Sequence, residues 1–141
     1  VACADCHMPY TRDGAAKYST HNVHSPLLDP EASCGTCHTD VDYVTTRVAM
    51  IQAQVYATLI NTEDVLLAAI TSIQTAGKTA GADEALLTQA RELHREAQMY
   101  WDFVAAENSM GFHNPEYVLT TLYHATDVAR QAQLTALEAL P

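Results

Sequence analysis

Two copies of a Cys-x-x-Cys-His pattern near the start of the chain constrain its structure more than any other feature. Each copy has two thiols three residues apart and an imidazole directly after the second thiol. The two copies are Cys3, Cys6 and His7, and Cys34, Cys37 and His38. Two thiols at this spacing suit thioether bonds to the two vinyl groups of a haem, and the histidine that follows suits its iron. The pattern therefore predicts two covalently attached c-type haems.

Disulfides and a zinc site are the alternative uses of four cysteines. A disulfide between positions three apart is strained, and pairing across the two motifs would leave the histidines unexplained. A tetrathiolate zinc site suits two Cys-x-x-Cys pairs, but 27 residues separate Cys6 from Cys34, more than the usual roughly 15 to 20. Histidine makes up only seven of the 141 residues, so its presence after both pairs favours haem over zinc.

Covalent haem also predicts where the protein works. Thioether attachment takes place outside the reducing cytoplasm, so we expect a periplasmic or otherwise exported protein. The sequence starts at Val1 with no leader, so we expect a mature form or a piece of a longer chain. No apolar run approaches the roughly 18 residues that a membrane span needs. The net charge of -10 argues against nucleic acid as a partner.

The chain changes character near residue 41. Residues 1–40 hold both motifs and many turn-forming residues, so they are expected to contain little regular structure. Residues 41–141 carry apolar stripes at helical spacing, which predict helices over about 41–74, 83–108 and 115–138. The stripes run through Val41, Val44, Val48, Ile51, Val55 and Leu59, then Leu86, Ala90, Leu93, Ala97, Trp101 and Val104, then Val118, Leu122, Ala125, Ala129 and Ala132. The predicted fold class is mainly α, an irregular haem-binding segment followed by three long helices.

The first predicted helix carries a second apolar flank beside its main stripe. This flank consists of Ala49, Ala53, Tyr56 and Ile60, which makes the apolar face wider than one seam requires. The flank either packs on the chain's own helices or contacts a partner, and the sequence favours neither.

Five histidines remain as candidates for the second axial position of a haem iron. They are His21, His24, His94, His113 and His124. His94 lies among charged residues, where a solvated histidine is the common case, and His124 lies within the third helix. His113 lies in the joint between two helices and is favoured as a ligand. At least one of His21 and His24 is also expected to ligate, and spacing alone does not choose between them.

Several stretches resemble one known family of multihaem enzymes. These are "CADCHMPY", "KYSTHNVHSPL", "SCGTCH" and "AQMYWDFVAAENSMGFHNPEYVL", which look like the C-terminal part of ammonia-forming cytochrome c nitrite reductase, a periplasmic pentahaem enzyme. The related octahaem nitrite and hydroxylamine reductases share this part. The resemblance implies an electron-relay role in the reduction of nitrite to ammonium, with more haems in the full enzyme than the two attached here.

The resemblance also implies roles for individual histidines. His113 would be the distal ligand of the haem on Cys3 and Cys6, and His21 that of a haem attached to the upstream chain. The distal ligand of the haem on Cys34 and Cys37 would come from upstream, and His24 has no fixed counterpart. The catalytic haem, with its Cys-x-x-Cys-Lys motif, the catalytic residues and the calcium site would likewise lie upstream. No Cys-x-x-Cys-Lys occurs in this chain.

The same resemblance implies three partners for this chain. They are the upstream portion of the enzyme, a second copy bound through helix 41–74, and an electron donor. The donor would be a membrane-associated quinol-oxidising cytochrome or a small multihaem cytochrome. A free-standing dihaem electron carrier is the alternative to a part of a reductase.

Overall fold

The computed structural model describes every residue, Val1–Pro141. The chain divides into two compact units, Val1–Met50 and Ile51–Pro141. None of its helices is both long enough and apolar enough to cross a lipid bilayer.

The first unit consists of short elements. These are helix α1 (Cys3–His7), strands β1 (Tyr10–Asp13) and β2 (Ala16–Ser19), a 3₁₀ turn (Pro26–Leu28), helix α2 (Pro30–Ser33) and the start of helix α3. The two strands pair antiparallel, with Tyr10 opposite Ser19 and Asp13 opposite Ala16. The sequence predicted little regular structure here, so the hairpin is an addition. It was not predicted because seven of its eight strand residues are exposed, and its sequence therefore shows no apolar alternation.

The first 40 residues have almost no apolar core. Only Pro9 and Ser33 among them are buried. Hydrogen bonds hold the hairpin to the preceding segment: the Thr20 amide donates to the Pro9 carbonyl at 3.0 Å, and the Ser19 hydroxyl donates to the Met8 carbonyl at 2.7 Å. Hydrogen bonds, and not a buried apolar cluster, are therefore the contacts that join the hairpin to residues 8 and 9.

Three long helices follow, so the predicted fold class is confirmed. They are α3 (Val41–Lys78), α4 (Glu84–Ala105) and α5 (Pro115–Glu138). The Asp83 carboxylate accepts from the first amides of α4. Asn114 caps α5 by accepting from the Tyr117 amide at 3.2 Å, with Pro115 in the first turn, where its missing amide hydrogen costs nothing. Helix α3 continues past the predicted residue 74 because Ala76 is fully buried against Leu87 and Ala139.

The second unit has an apolar core between its helices, made of three buried clusters. Its buried clusters are Val55, Leu59, Val104, Val118 and Leu122, then Leu66, Ala97, Val128 and Ala129, then Ala76, Leu87 and Ala139. Two polar contacts lie within this core. The hydroxyls of Thr62 and Thr126 are 2.9 Å apart, and the Trp101 indole donates to the Leu59 carbonyl at 3.1 Å. These contacts satisfy polar atoms whose burial would otherwise be costly.

Candidate functional site

The first motif is wound into helix α1. Its two thiols, on Cys3 and Cys6, are three positions apart and so lie on one side of this five-residue helix. The Asp5 carboxylate accepts from the Ala2 amide at 2.7 Å, and the Met8 amide donates to the Ala4 carbonyl at 2.9 Å. Both thiols and the imidazole of His7 are therefore carried on a single hydrogen-bonded turn.

The imidazole of His7 is oriented by the backbone. Its Nδ1 atom lies 2.8 Å from the carbonyl oxygen of His24. A carbonyl only accepts, so Nδ1 carries the proton and the lone pair of this ring is on Nε2. Histidines that bind metals commonly donate their other ring nitrogen to a carbonyl in this way. The contact therefore fits His7 as an iron ligand through Nε2.

The second motif follows helix α2. Asp29 accepts from the Ala32 amide at 3.2 Å at the start of this helix, and Cys34 is its C-terminal cap. The amides of Cys37 and His38 both donate to the Cys34 carbonyl, at 3.1 and 2.9 Å. The second motif is thus also a single helical turn, although it lies outside a regular helix.

The two motifs are neighbours within the first unit. Helices α1 and α2 contact each other. Burial, then the nearby Cys6 thiol, then the Glu31 carboxylate raise the pKa of the Cys34 thiol. None of the four cysteines is in a disulfide, and nowhere do three His, Cys, Asp or Glu side chains gather as they would around a metal ion. The two motifs are therefore two adjacent turns, each with its own pair of thiols and its own histidine.

The surroundings of the motifs also suit haem. Large apolar side chains of the first unit are exposed, with Leu28 at 77% and Val23 at 66% of their surface. A macrocycle has two broad apolar faces, and covering such side chains with it would supply the burial that the first 40 residues otherwise lack. The residues present therefore fit two covalent haems.

The two histidines between the motifs differ in placement. His21 is exposed, whereas His24 is half-buried. The Nδ1 atom of His24 lies 2.5 Å from the carbonyl oxygen of Asn22, while its own carbonyl accepts from His7. The contact to His7 therefore depends on the backbone of His24 and not on its ring.

His113 belongs to the second unit and lies in the joint between α4 and α5. Its amide donates to the Ser109 hydroxyl at 3.1 Å, and its Nδ1 atom lies 3.3 Å from Glu107 Oε1. Burial alone would raise the pKa of Glu107, but hydrogen bonds from the Gly111 amide, from Ser109 and from His113 outweigh burial and lower it. The carboxylate beside His113 is therefore ionised at neutral pH.

The other two histidines have different neighbours. Burial lowers the pKa of His94, and its Nε2 atom is buried without a hydrogen-bond partner, so it is not the solvated residue that its charged sequence neighbours suggested. His124 packs edge-on against Tyr100, with ring centroids 4.9 Å apart, and its Nε2 is 3.8 Å from Glu96.

Two features of the site were not found from the sequence. One is the carbonyl of His24, because the sequence does not reveal which backbone oxygen will face His7. The other is Glu107, six residues before His113. Its signal was the stretch "ENSMGFH", in which an acidic residue precedes a turn containing glycine.

Comparison with known proteins gives one family over the whole chain. The profile of the cytochrome c552 family matches residues 1–141. The chain is 42% identical to the cytochrome c nitrite reductase subunit NrfA of Nitratidesulfovibrio vulgaris, over 99% of this chain and 28% of that protein. It is 36% identical to cytochrome c-552 of Bacteroides thetaiotaomicron, with the same two coverages. The chain thus spans little more than a quarter of the length of these relatives.

A solved structure has the same fold. It is that of the catalytic subunit, NrfA, of cytochrome c nitrite reductase from Desulfovibrio desulfuricans, described with two calcium sites. It superposes with a TM-score of 0.91 and 38% sequence identity, covering 99% of this chain and 30% of that one.

Proposed function

The chain belongs to the cytochrome c552 family, and on that premise we propose that it is the haem-bearing, electron-relay portion of a periplasmic cytochrome c nitrite reductase. The whole enzyme would reduce nitrite to ammonium. The observation that carries the proposal is the pair of adjacent Cys-x-x-Cys-His turns, one of them with its histidine already oriented by a carbonyl. Relatives named as nitrite reductase support the substrate.

The residues of the site divide by role. The four cysteines form the thioether bonds, and His7 and His38 are the proximal ligands of the two irons. His113 is the distal ligand of the haem on Cys3 and Cys6, and His21 is that of a haem attached to the upstream chain, as the family resemblance implies. A haem bound in this way supplies one-electron chemistry at its iron. The protein supplies ligation, orientation and a partly apolar environment, which together set the reduction potential.

The catalytic centre of the enzyme lies outside this chain. Both Cys-x-x-Cys motifs here continue with histidine, and none continues with lysine. The upstream portion of the enzyme would supply the catalytic haem, the residues around it and the calcium site. This chain would then hold relay haems, so it has no substrate site of its own.

The apolar flank of α3 is proposed as the surface of a twofold dimer. Ala49, Ala53, Tyr56 and Ile60 are all exposed, with Tyr56 at 55%. Leu67, about two turns after Ile60 on the same side of the helix, is also exposed. A twofold axis would place this flank against its own copy, as an isologous interface requires. The electron donor is proposed to be a quinol-oxidising or small multihaem cytochrome of the periplasm.

One experiment tests the assignment as a whole. The protein is purified from a host that attaches c-type haem, denatured, and analysed for intact mass and for haem per polypeptide. Two haems attached to the peptides that contain Cys3 and Cys34 are expected, with further haems in a longer chain. A colourless protein would contradict the proposal and would favour a zinc site formed by the four cysteines. A dihaem protein with no upstream sequence in its gene would make it a free-standing electron carrier.

A further inference from the structure

The joint between α4 and α5 is organised by one carboxylate, that of Glu107. Its Oε1 atom accepts from the Ser109 amide at 2.9 Å, and its Oε2 atom accepts from the Gly111 amide at 2.8 Å. Both oxygens are thereby held by backbone hydrogen bonds within five residues. The position of the carboxylate is therefore set by the turn itself and does not depend on any more distant contact.

The turn that holds Glu107 is in turn fixed to α3. Met110 and Gly111 have left-handed backbone angles, with φ of 50° and 79°. The Gln52 side chain donates to the Ser109 carbonyl at 3.0 Å, and Gly111 is buried against Val55. Such a turn, built from two residues in a rare conformation and packed on a helix, has little freedom to move.

The ring of His113 meets this fixed carboxylate from the solvent side. The side chain of His113 is 60% exposed, while that of Glu107 is 26% exposed. Nδ1 of the ring lies 3.3 Å from Glu107 Oε1, and a carboxylate at that position favours the tautomer whose proton is on Nδ1. The lone pair of the ring is then on Nε2.

We infer that Glu107 is a positioning residue for His113, holding the proton on Nδ1 so that Nε2 binds a haem iron with increased donor strength. The inference rests on the proposed function, in which His113 is an axial ligand. A carboxylate that accepts from an iron-bound imidazole makes the ring more basic and favours the oxidised iron. Glu107 would therefore lower the reduction potential of one haem without touching it.

The test uses the complete haem-loaded protein that contains this chain. Glu107→Gln keeps the shape of the side chain and removes its charge. The expected result is an unchanged number of haems, an upward shift in the reduction potential of one haem, and altered low-spin electron paramagnetic resonance values for that haem. A protein with all its haems and unchanged potentials would overturn the inference.

Two control variants separate positioning from general loosening. Ser109→Ala removes the hydroxyl that accepts from the His113 amide and that also hydrogen-bonds Glu107, but it keeps the charge of the carboxylate and both of its backbone hydrogen bonds. Glu96→Gln removes the carboxylate 3.8 Å from His124, a matched pair at a histidine not assigned to iron. Both are expected to leave every potential unchanged. A shift with Ser109→Ala equal to that with Glu107→Gln would mean that Glu107 acts only by holding the joint.

A double variant tests whether Glu107 acts through His113. In a His113→Met protein, adding Glu107→Gln is expected to produce no further shift in any potential. An equal shift in both backgrounds would overturn the inference. Failure of the proposed function would give a different result. In that case His113→Met alone would leave every haem unchanged, or the number of haems would not match the number of motifs.

A measurement on the unaltered protein covers the case in which Glu107→Gln does not fold. The reduced protein, labelled with ¹⁵N in histidine, is expected to show an Nδ1 proton of His113 that is shifted downfield in nuclear magnetic resonance spectra by its hydrogen bond to Glu107. The signal is identified by its loss in His113→Met. An Nδ1 proton at the chemical shift of an imidazole that is hydrogen-bonded only to water would overturn the inference, whereas a proton on Nε2 would contradict the proposed ligation itself.

Discussion

The Nδ1 atom of His7 lies 2.8 Å from the carbonyl oxygen of His24, seventeen residues further along the chain. A proposed iron ligand in the first motif is thereby oriented by the segment that leads to the second. The contact uses the backbone of His24, so it would survive most substitutions of that side chain. It also means that the conformation of residues 20–25 affects the geometry at His7.

Removal of the thiols of the second motif should remove one haem. Cys34→Ala combined with Cys37→Ala leaves no sulfur for the thioether bonds, so one haem fewer per polypeptide is expected in the denatured protein. The first unit should also become less stable, because the lost macrocycle supplies apolar burial. Thr36→Ala, between the two cysteines, is the control and should keep both haems. An unchanged haem content in the double variant would contradict the motif assignment.

Exchange of a distal ligand should change a potential and not the haem count. With His113→Met, the covalent haems should remain, and the potential of the haem on Cys3 and Cys6 should rise, because thioether ligation favours the reduced iron relative to imidazole. Its low-spin spectrum should change with it. His124→Met is the control. If His113→Met leaves every haem unaltered, the assignment is wrong and His24 or His124 becomes the better candidate.

Charge on the apolar flank of α3 should separate a dimer into monomers. Ala53→Glu with Tyr56→Glu introduces two carboxylates that an isologous contact would bring close to their own copies. Sedimentation velocity is expected to give the monomer mass. Gln54→Glu, at an exposed position off this flank, should leave the dimer intact. A dimer that persists through the double substitution would indicate a different surface.

The isolated 141-residue chain should accept electrons without reducing nitrite. Expressed with its haems, it should be reduced by dithionite and reoxidised, but it should form no ammonium when nitrite is the sole acceptor. The physical reason is that turnover needs an open iron position in a built substrate site, which is proposed to lie upstream. Full-length protein is the positive control. Sustained ammonium formation by the isolated chain would mean that one of these two haems is catalytic.

A methyl group at Gly111 should destabilise the second unit. Alanine there would keep a φ of 79° and place its Cβ 2.6 Å from a methyl carbon of Val55. We expect the free energy of unfolding to fall by about 3 kcal/mol, from strain and overpacking together. Gly81 has a φ of 84° but open space around it, so Gly81→Ala should cost only about 1 kcal/mol. Equal losses in urea unfolding would show that the contact with Val55 is unimportant.

Much of the helical unit could be predicted from the sequence because its apolar stripes are regular. All five residues of the predicted stripe on α5 are buried, and the two caps follow well-understood preferences of Asp and Asn. The predicted stripe on α4 includes Leu86, but the adjacent Leu87 is the more deeply buried of the two leucines. Leu86 is partly buried against the same cluster. The resemblance to nitrite reductase is confirmed by the family match over the whole chain.

The remaining features depend on contacts that periodicity does not encode. The β1–β2 hairpin has no apolar alternation because nearly all of its side chains are exposed. Glu107 reaches His113 across a turn in which Met110 and Gly111 have left-handed backbone angles, and helical periodicity gives no sign of that turn. His94 has charged neighbours along the helix, yet its Nε2 is buried because α4 turns that side inward. The axial roles of His21 and His113 stay predictions.

The near absence of a core in residues 1–40 has a consequence for how the protein is made. An enzyme that attaches haem has to reach both thiols of each pair, and a segment with its own packed interior would hide them before they could react. Here Cys3 and Cys37 are exposed in a segment that buries only two residues. The second unit, with its own apolar core, does not need to wait for that step. We therefore expect the thiols to stay within reach of the attaching enzyme before haem is bound, and the exposed apolar side chains of the first unit to become buried only with attachment.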